Sequence, residues 1–128
     1  MPVTRHNPKT VPLSGKYTHG VELPPGQRVL YVSGQVGTDA KGKVASGIEK
    51  QCDNVWKNIG AVLKSAGMGY ADIVKANVYL TDSRFIGAYR AMRDKYIHDP
   101  FPASTLVIVS GLASPDMLVE VEVIAARP

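Results

Sequence analysis

Val119-Glu120-Val121-Glu122-Val123-Ile124-Ala125 decides the fold, together with Pro102-Ala103-Ser104-Thr105-Leu106-Val107 one loop before it. Val119, Val121 and Val123 alternate with Glu120, Glu122 and Ile124, and Leu118 has the parity of the glutamates. Period-two alternation reads as a β-strand with two unlike faces. The valine face belongs in a core. The other face sets carboxylates beside Leu118 and Ile124, which is costly to bury unless that face borders water, a ligand or another subunit.

Working outward, residues 105–109 predict a buried strand and residues 111–117 a loop or short helix. His98-Asp99-Pro100-Phe101-Pro102 stops the helix before it, because proline lacks an amide donor and restricts its predecessor. That helix carries Phe85, Tyr89 (or Ala88), Met92 and Tyr96 at helical spacing, after an N-cap cluster at Thr81-Asp82-Ser83. Val74, Ala76, Val78 and Leu80 mark residues 72–80 as a strand. The connection from this strand through a helix to residues 105–109 is a crossover, so those two strands are expected to be parallel.

The first helix has the clearest pattern. Ile48, Cys52, Val55, Ile59, Val62, Leu63 and Ala66 recur at three- and four-residue steps, Trp56 widens the stripe, and Gly67 stands where a left-handed cap is wanted. Residues 16–23 and 28–34 read as two strands around Pro24-Pro25-Gly26, close enough for an antiparallel hairpin. The expected order is β-β-α-β-α-β-β, an α+β domain over residues 1–128 with one mixed sheet and both helices on one face. The opposite face would stay exposed in a monomer, which points to an oligomer.

Composition sets bounds. The chain has 128 residues, 45% apolar and 20% charged, as in an ordinary globular domain. No apolar run reaches the ~18 residues of a membrane span, so no membrane partner is expected. The first residues lack the apolar core of a secretory signal, and the single Cys52 suits a reducing cytosol, so a cytoplasmic location is expected. The formal charge is +4, but the basic residues form no run or cluster, and nucleic-acid binding is not expected. His6, His19 and His98 have no metal-ligand spacing to one another or to Cys52, and the glycines around Ser33-Gly34-Gln35-Val36-Gly37 open no phosphate loop. Neither a metal nor a cofactor is expected.

Several segments together resemble the YjgF/Rid family of reactive-intermediate deaminases: Ser14-Gly15-Lys16-Tyr17-Thr18-His19-Gly20-Val21, Val32-Ser33-Gly34-Gln35-Val36-Gly37, the helix with Asn54 and Ala66-Gly67, Asp72-Ile73-Val74-Lys75, and the terminal strand around Glu120. The resemblance covers nearly the whole chain. It implies a chorismate mutase-like fold and a homotrimer whose sheets form a central barrel, with a small-molecule site in each intersubunit cleft. It also implies a cofactor-free hydrolase that releases ammonia from enamines or imines.

By the resemblance, Glu120 is the catalytic residue that helps position the attacking water, and Tyr17, Ser33, Ser104, Thr105, Leu106 and Tyr89 line the substrate pocket. Glu122 is read as structural or interfacial, and His19 and Cys52 as structural. This chain departs from the family where substrate is held. Ser104 occupies the position of the carboxylate-binding arginine, Leu106 that of a frequent cysteine, Tyr89 that of a second-helix asparagine, and Lys16 that of a proline. A serine cannot reproduce a guanidinium fork, so an atypical substrate is expected unless Arg84, Arg90 or Arg93 supplies the charge. Two other functions follow from the same resemblance: a non-catalytic trimer that binds a metabolite or protein, and, ranked last, an endoribonuclease or translation inhibitor.

Overall fold

The computed structural model describes residues 2–128. Its elements are β1 (Thr4–His6), β2 (Gly20–Glu22), β3 (Arg28–Val36), α1 (Ile48–Ser65), β4 (Ile73–Leu80), α2 (Ile86–Arg93), β5 (Ala103–Ile108) and β6 (Val119–Arg127). Strands β3, β6, β4 and β5 form a mixed sheet in that order, while β1 and β2 make a separate antiparallel pair. β6 runs antiparallel to both of its neighbours, and β4 and β5 are parallel across the α2 crossover. This is the α+β arrangement expected from the alternating strands and the two helical stripes.

The alternation in β6 sorts its side chains as predicted. Val119, Val121, Val123 and Ala125 are buried, while Glu120, Glu122 and Ile124 are half-buried on the opposite face. Cross-strand register extends that division: Val78 lies opposite Val121 and Leu106 opposite Val78, all on the core side. Tyr79 lies opposite Glu120 and Val107 opposite Tyr79, all on the open side. The two helices pack on the core side through Trp56, Ile59, Leu63 and Tyr89. Fully burying one such aliphatic side chain contributes roughly 1.5–3 kcal/mol. Leu118 shares the parity of the glutamates yet packs against the core, because its N–H is drawn in to Gln51 Oε1 at 2.9 Å.

Helix α1 begins after Gly47 (φ 87°) and ends in a Schellman arrangement. Gly67 takes φ 69°, its N–H donates to the Lys64 carbonyl, and the Met68 N–H reaches the Leu63 carbonyl. A side chain at that φ would be strained, which accounts for the glycine. Near the other end, buried Gln51 ties three segments together. Its Nε2 donates to the Ala45 and Asp116 carbonyls at 2.9 and 2.8 Å, and its Oε1 accepts from the Leu118 N–H. Gly37 is a glycine because a Cβ there would fall on the Gln51 backbone. Gln51→Ala is expected to cost roughly 2–3 kcal/mol, since it strands buried backbone groups on two loops; urea denaturation checks this, and a loss below about 0.5 kcal/mol, the range of a neutral surface change, would refute it.

Cys52 is fully buried on α1, and burial pushes its thiol up to about 12. A disulfide reagent at pH 8 is expected to leave the native thiol unmodified and to titrate it fully in denaturant. The raised value means that the unfolded thiol ionises first. Its contribution to stability is therefore complete below the unfolded pKa of about 8.5 and falls as pH rises toward 12.

Three sequence expectations are corrected. The hairpin of residues 16–23 with 28–34 does not form. Only Gly20–Glu22 is strand, and it pairs with Thr4–His6. The segment before it spends its hydrogen bonds elsewhere: Thr18 N–H and Oγ1 donate to the Pro102 and Phe101 carbonyls at 3.0 and 2.5 Å. Residues 105–109 are not a buried strand, because β5 lies at the sheet edge with Thr105, Val107 and Ile108 exposed. The second helix is shorter than its periodicity suggests. Phe85 belongs to a 3-10 turn capped by Asp82, and Tyr96 lies beyond the helix end. Among the described residues, no helix is long and apolar enough to cross a membrane.

Candidate active site

Two clusters, on opposite faces of the sheet, hold the residues singled out from the sequence. The first surrounds a cleft of about 460 Å³ beside β5, lined in part by Tyr17, Lys16, Tyr89, Arg90, Arg93 and Ser104. Leu106 and Asp94 also line it. The bonds from Thr18 to Phe101 and Pro102 carry Tyr17 to this cleft, because they fasten residues 14–18 to the segment leading into β5. Ser14 lies 3.4 Å from Tyr17 Oη through both its hydroxyl and its N–H, and these contacts, the hydroxyl first, hold the phenol below its ordinary value. The His19 ring packs edge-on to Tyr17 and its Nε2 bonds the Pro12 carbonyl, so His19 supports the tyrosine rather than facing the cleft.

Tyr89 is 1% exposed and forms the inner wall of the cleft, and burial pushes its phenol upward. Ser104 and Leu106 face the cleft from β5. As the edge strand, β5 leaves one row of backbone N–H and C=O groups unpaired by the sheet. Opposite them, α2 presents Arg90 and Arg93. Arg93 binds Asp94 Oδ1 through Nε and Nη2 at 3.2 and 3.0 Å, and Lys16 Nζ binds Asp94 Oδ2 at 2.9 Å. The lysine bond first, then burial opposed by Arg93, leaves the Asp94 carboxyl below the usual carboxylate range. Two of the three helix arginines weighed from the sequence therefore reach the cleft that holds Ser104. Arg84 does not, being held in an ion pair with Asp82.

The second cluster lies on the open face. Glu120 leans over Gly34, where a Cβ would fall on its carboxylate, so the glycine in the β3 bulge keeps that space clear. Exposed Ser33 precedes the glycine. The Glu120 carboxylate makes no hydrogen bond or ion pair among the described residues. Glu122 is different, since it accepts from Tyr79 Oη at 2.6 Å and Asn77 Nδ2 at 3.3 Å. Those bonds hold Glu122 in place and push the Tyr79 phenol upward. Thr105 is also on this face, its Oγ1 accepting from Lys75 Nζ at 2.9 Å. Tyr31, 76% exposed, stands with Val107 on the same uncovered surface.

A single chain thus brings Tyr17, Tyr89, Ser104 and Leu106 together; on the open face Glu120 lies against Gly34, while Ser33 lines a separate pocket with Asn77 and Glu122, and Thr105 is on that face too. It does not join the two clusters. The cleft cations Lys16 and Arg93 and their partner Asp94 were not on the sequence-derived list of site residues. Periodicity could place Arg90 and Arg93 on one helix face, but nothing local to Lys16 signals its partner far along the chain at Asp94.

Residues 8–127 match the family described as Endoribonuclease L-PSP. A RutC family protein of Saccharolobus solfataricus is 37% identical over 126 residues, covering 97% of this chain and 94% of its own length. A 2-iminobutanoate/2-iminopropanoate deaminase of Capra hircus is 34% identical over 115 residues, 88% of this chain and 81% of that protein. The crystal structure of a Rid-family protein of Yersinia pestis, itself of unknown function, superimposes with a TM-score of 0.87 at 30% identity, covering 99% of this chain and 100% of the other. The chain belongs to the Endoribonuclease L-PSP family, the YjgF/Rid group, some of whose members are named imine deaminases.

Proposed function

We propose that the protein is a cofactor-independent deaminase that hydrolyses reactive imines, or the enamines in equilibrium with them, to carbonyl compounds and ammonia. The observation that carries this reading is the Glu120 carboxylate held over Gly34, with no hydrogen-bonded or ionic partner among the described residues, on a sheet face that no helix among the described residues covers. Family membership and the relatives named as imine deaminases support it.

The reading requires copies of the chain to associate. The open face of one copy, with Ser33 and Glu120, would close over the β5-edge cleft of the next, with Tyr17, Tyr89, Ser104 and Leu106. A homotrimer with three such clefts satisfies both surfaces in every copy. The exposed Tyr31 and Val107 give that contact apolar area.

Within the closed cleft the chemistry is simple. The imine carbon is already electrophilic. Glu120 accepts a proton from water as the oxygen adds to that carbon and the C=N π pair moves to nitrogen. The proton returns to nitrogen and gives a carbinolamine; the hydroxyl proton then passes to the amine through Glu120, the C–N bond breaks with its pair on nitrogen, and ammonia leaves as the oxygen lone pair forms the carbonyl. Backbone groups on the free edge of β5 would hold the reacting atoms in line. Closure also excludes water other than the reactant.

Ammonia and keto-acid release from 2-iminopropanoate generated in situ tests the reading, with wild type and Ser104→Arg side by side. Release by wild type above the spontaneous rate is expected. If Ser104→Arg alone were active, the native substrate would lack the carboxylate. Silence in both would replace this reading with that of a binding trimer.

A further inference from the structure

We infer that Arg90 is the carboxylate anchor of this cleft, so that the substrate's negative charge is held from helix α2 rather than from strand β5. The inference rests on the deaminase reading for the reaction, but its binding arm stands apart from it.

The charges lining the cleft decide the matter. Lys16, Arg90 and Arg93 are cationic and Asp94 is the lone carboxylate among the lining residues. Asp94 is already shared: Lys16 takes one oxygen at 2.9 Å and Arg93 the other at 3.0 Å. The Arg90 guanidinium makes no hydrogen bond or ion pair among the described residues. A positive cleft therefore offers one guanidinium whose donors are uncommitted. Arg90 and Arg93 are three apart on α2, which makes them neighbours on the helix surface. The arginine locked to Asp94 raises the local positive potential while the other remains available to a ligand.

Across the cleft, Ser104 and Leu106 supply no charge. Ser104 is small enough to leave room for a ligand lying between the strand edge and the helix. A guanidinium presents a planar fork that matches a carboxylate with two parallel hydrogen bonds. An anion held by Arg90 would enter with its charged end toward α2 and its apolar end toward Leu106 and Tyr89. The ligand class is a small 2-imino or 2-oxo monocarboxylate.

The experiment compares wild type, Arg90→Met, Arg90→Lys and, as a control outside the cleft, Arg84→Met, using the full chain in its native assembly. Two readouts are taken: pyruvate affinity by calorimetry, and kcat and KM for 2-iminopropanoate. Arg90→Met is expected to weaken pyruvate binding and raise KM by about 10-fold or more, the usual loss for one charged hydrogen-bonding partner. Arg90→Lys should recover part of the loss, and Arg84→Met should match wild type. Arg90-dependent pyruvate binding without turnover would keep the anchor and overturn the deaminase reading. Turnover with KM and affinity unchanged in Arg90→Met would keep the deaminase and overturn the anchor. Failure of wild type to bind or turn over either carboxylate would also overturn the anchor.

Discussion

Glu120→Gln is expected to lower kcat for imine hydrolysis by about 100- to 10,000-fold, the usual contribution of a positioned general acid–base group. Glutamine keeps the shape and the hydrogen-bonding reach but cannot take a proton from water. The fold should tolerate the change, because the Glu120 carboxylate has no hydrogen-bonded or ionic partner among the described residues to be stranded. Glu122→Gln is the informative control. Glu122 is two residues along the same face, but it accepts from Tyr79 and Asn77. Its change should disturb that network while leaving kcat within a few-fold. Steady-state kinetics on both variants decides between them. Full activity in Glu120→Gln with loss in Glu122→Gln would reverse the two roles. Gly34→Ala connects the argument to the backbone, since its added methyl must displace the Glu120 carboxylate. It should lower kcat in a protein whose stability is little changed.

The second large effect is on stability. Trp56→Ala is expected to cost about 3–5 kcal/mol, as for other large aromatic truncations in a core. Trp56 is fully buried on α1. It stacks on Tyr96 with ring centroids 6.4 Å apart and lies 6.5 Å from Tyr89. The loss should also loosen Tyr89, the inner wall of the cleft, and so raise KM. Trp56→Phe should cost much less than the alanine change. The indole Nε1 is buried with no hydrogen-bond partner among the described residues, so phenylalanine removes an unsatisfied donor along with some apolar area. Denaturant midpoints for the two variants check this. A phenylalanine variant as unstable as the alanine one would mean that the indole nitrogen has a partner.

These effects belong to parts of the molecule that were legible in the sequence to different degrees. The α1 stripe, the Gly67 cap and the two faces of β6 follow from spacing alone, because helix and strand periods are local properties of the backbone. The parallel pairing of β4 with β5 follows from chain connectivity. The alternation places Glu120 and Glu122 alike on the face opposite the valines, and only the family resemblance singles out Glu120.

Strand partners were less legible. Residues 16–23 and 28–34 had the composition and spacing of a hairpin, yet Thr18 is claimed by the Phe101 and Pro102 carbonyls and Gly20–Glu22 by the N-terminal strand. A hydrogen bond across the sequence competes on equal terms with a local one, and only the assembled chain shows which wins. The same holds for the cleft. Sequence alone determined the element types, the core face of β6 and the identity of its glutamates. Tertiary structure alone decided that β5 is an edge, that Ser104 and Glu120 lie on opposite faces of one sheet, and that Lys16 and Arg93 converge on Asp94 while the Arg90 guanidinium has no partner among the described residues. The physical reason is that periodicity fixes the direction of a side chain relative to its own backbone, whereas its neighbours are chosen by packing between segments far apart in the chain.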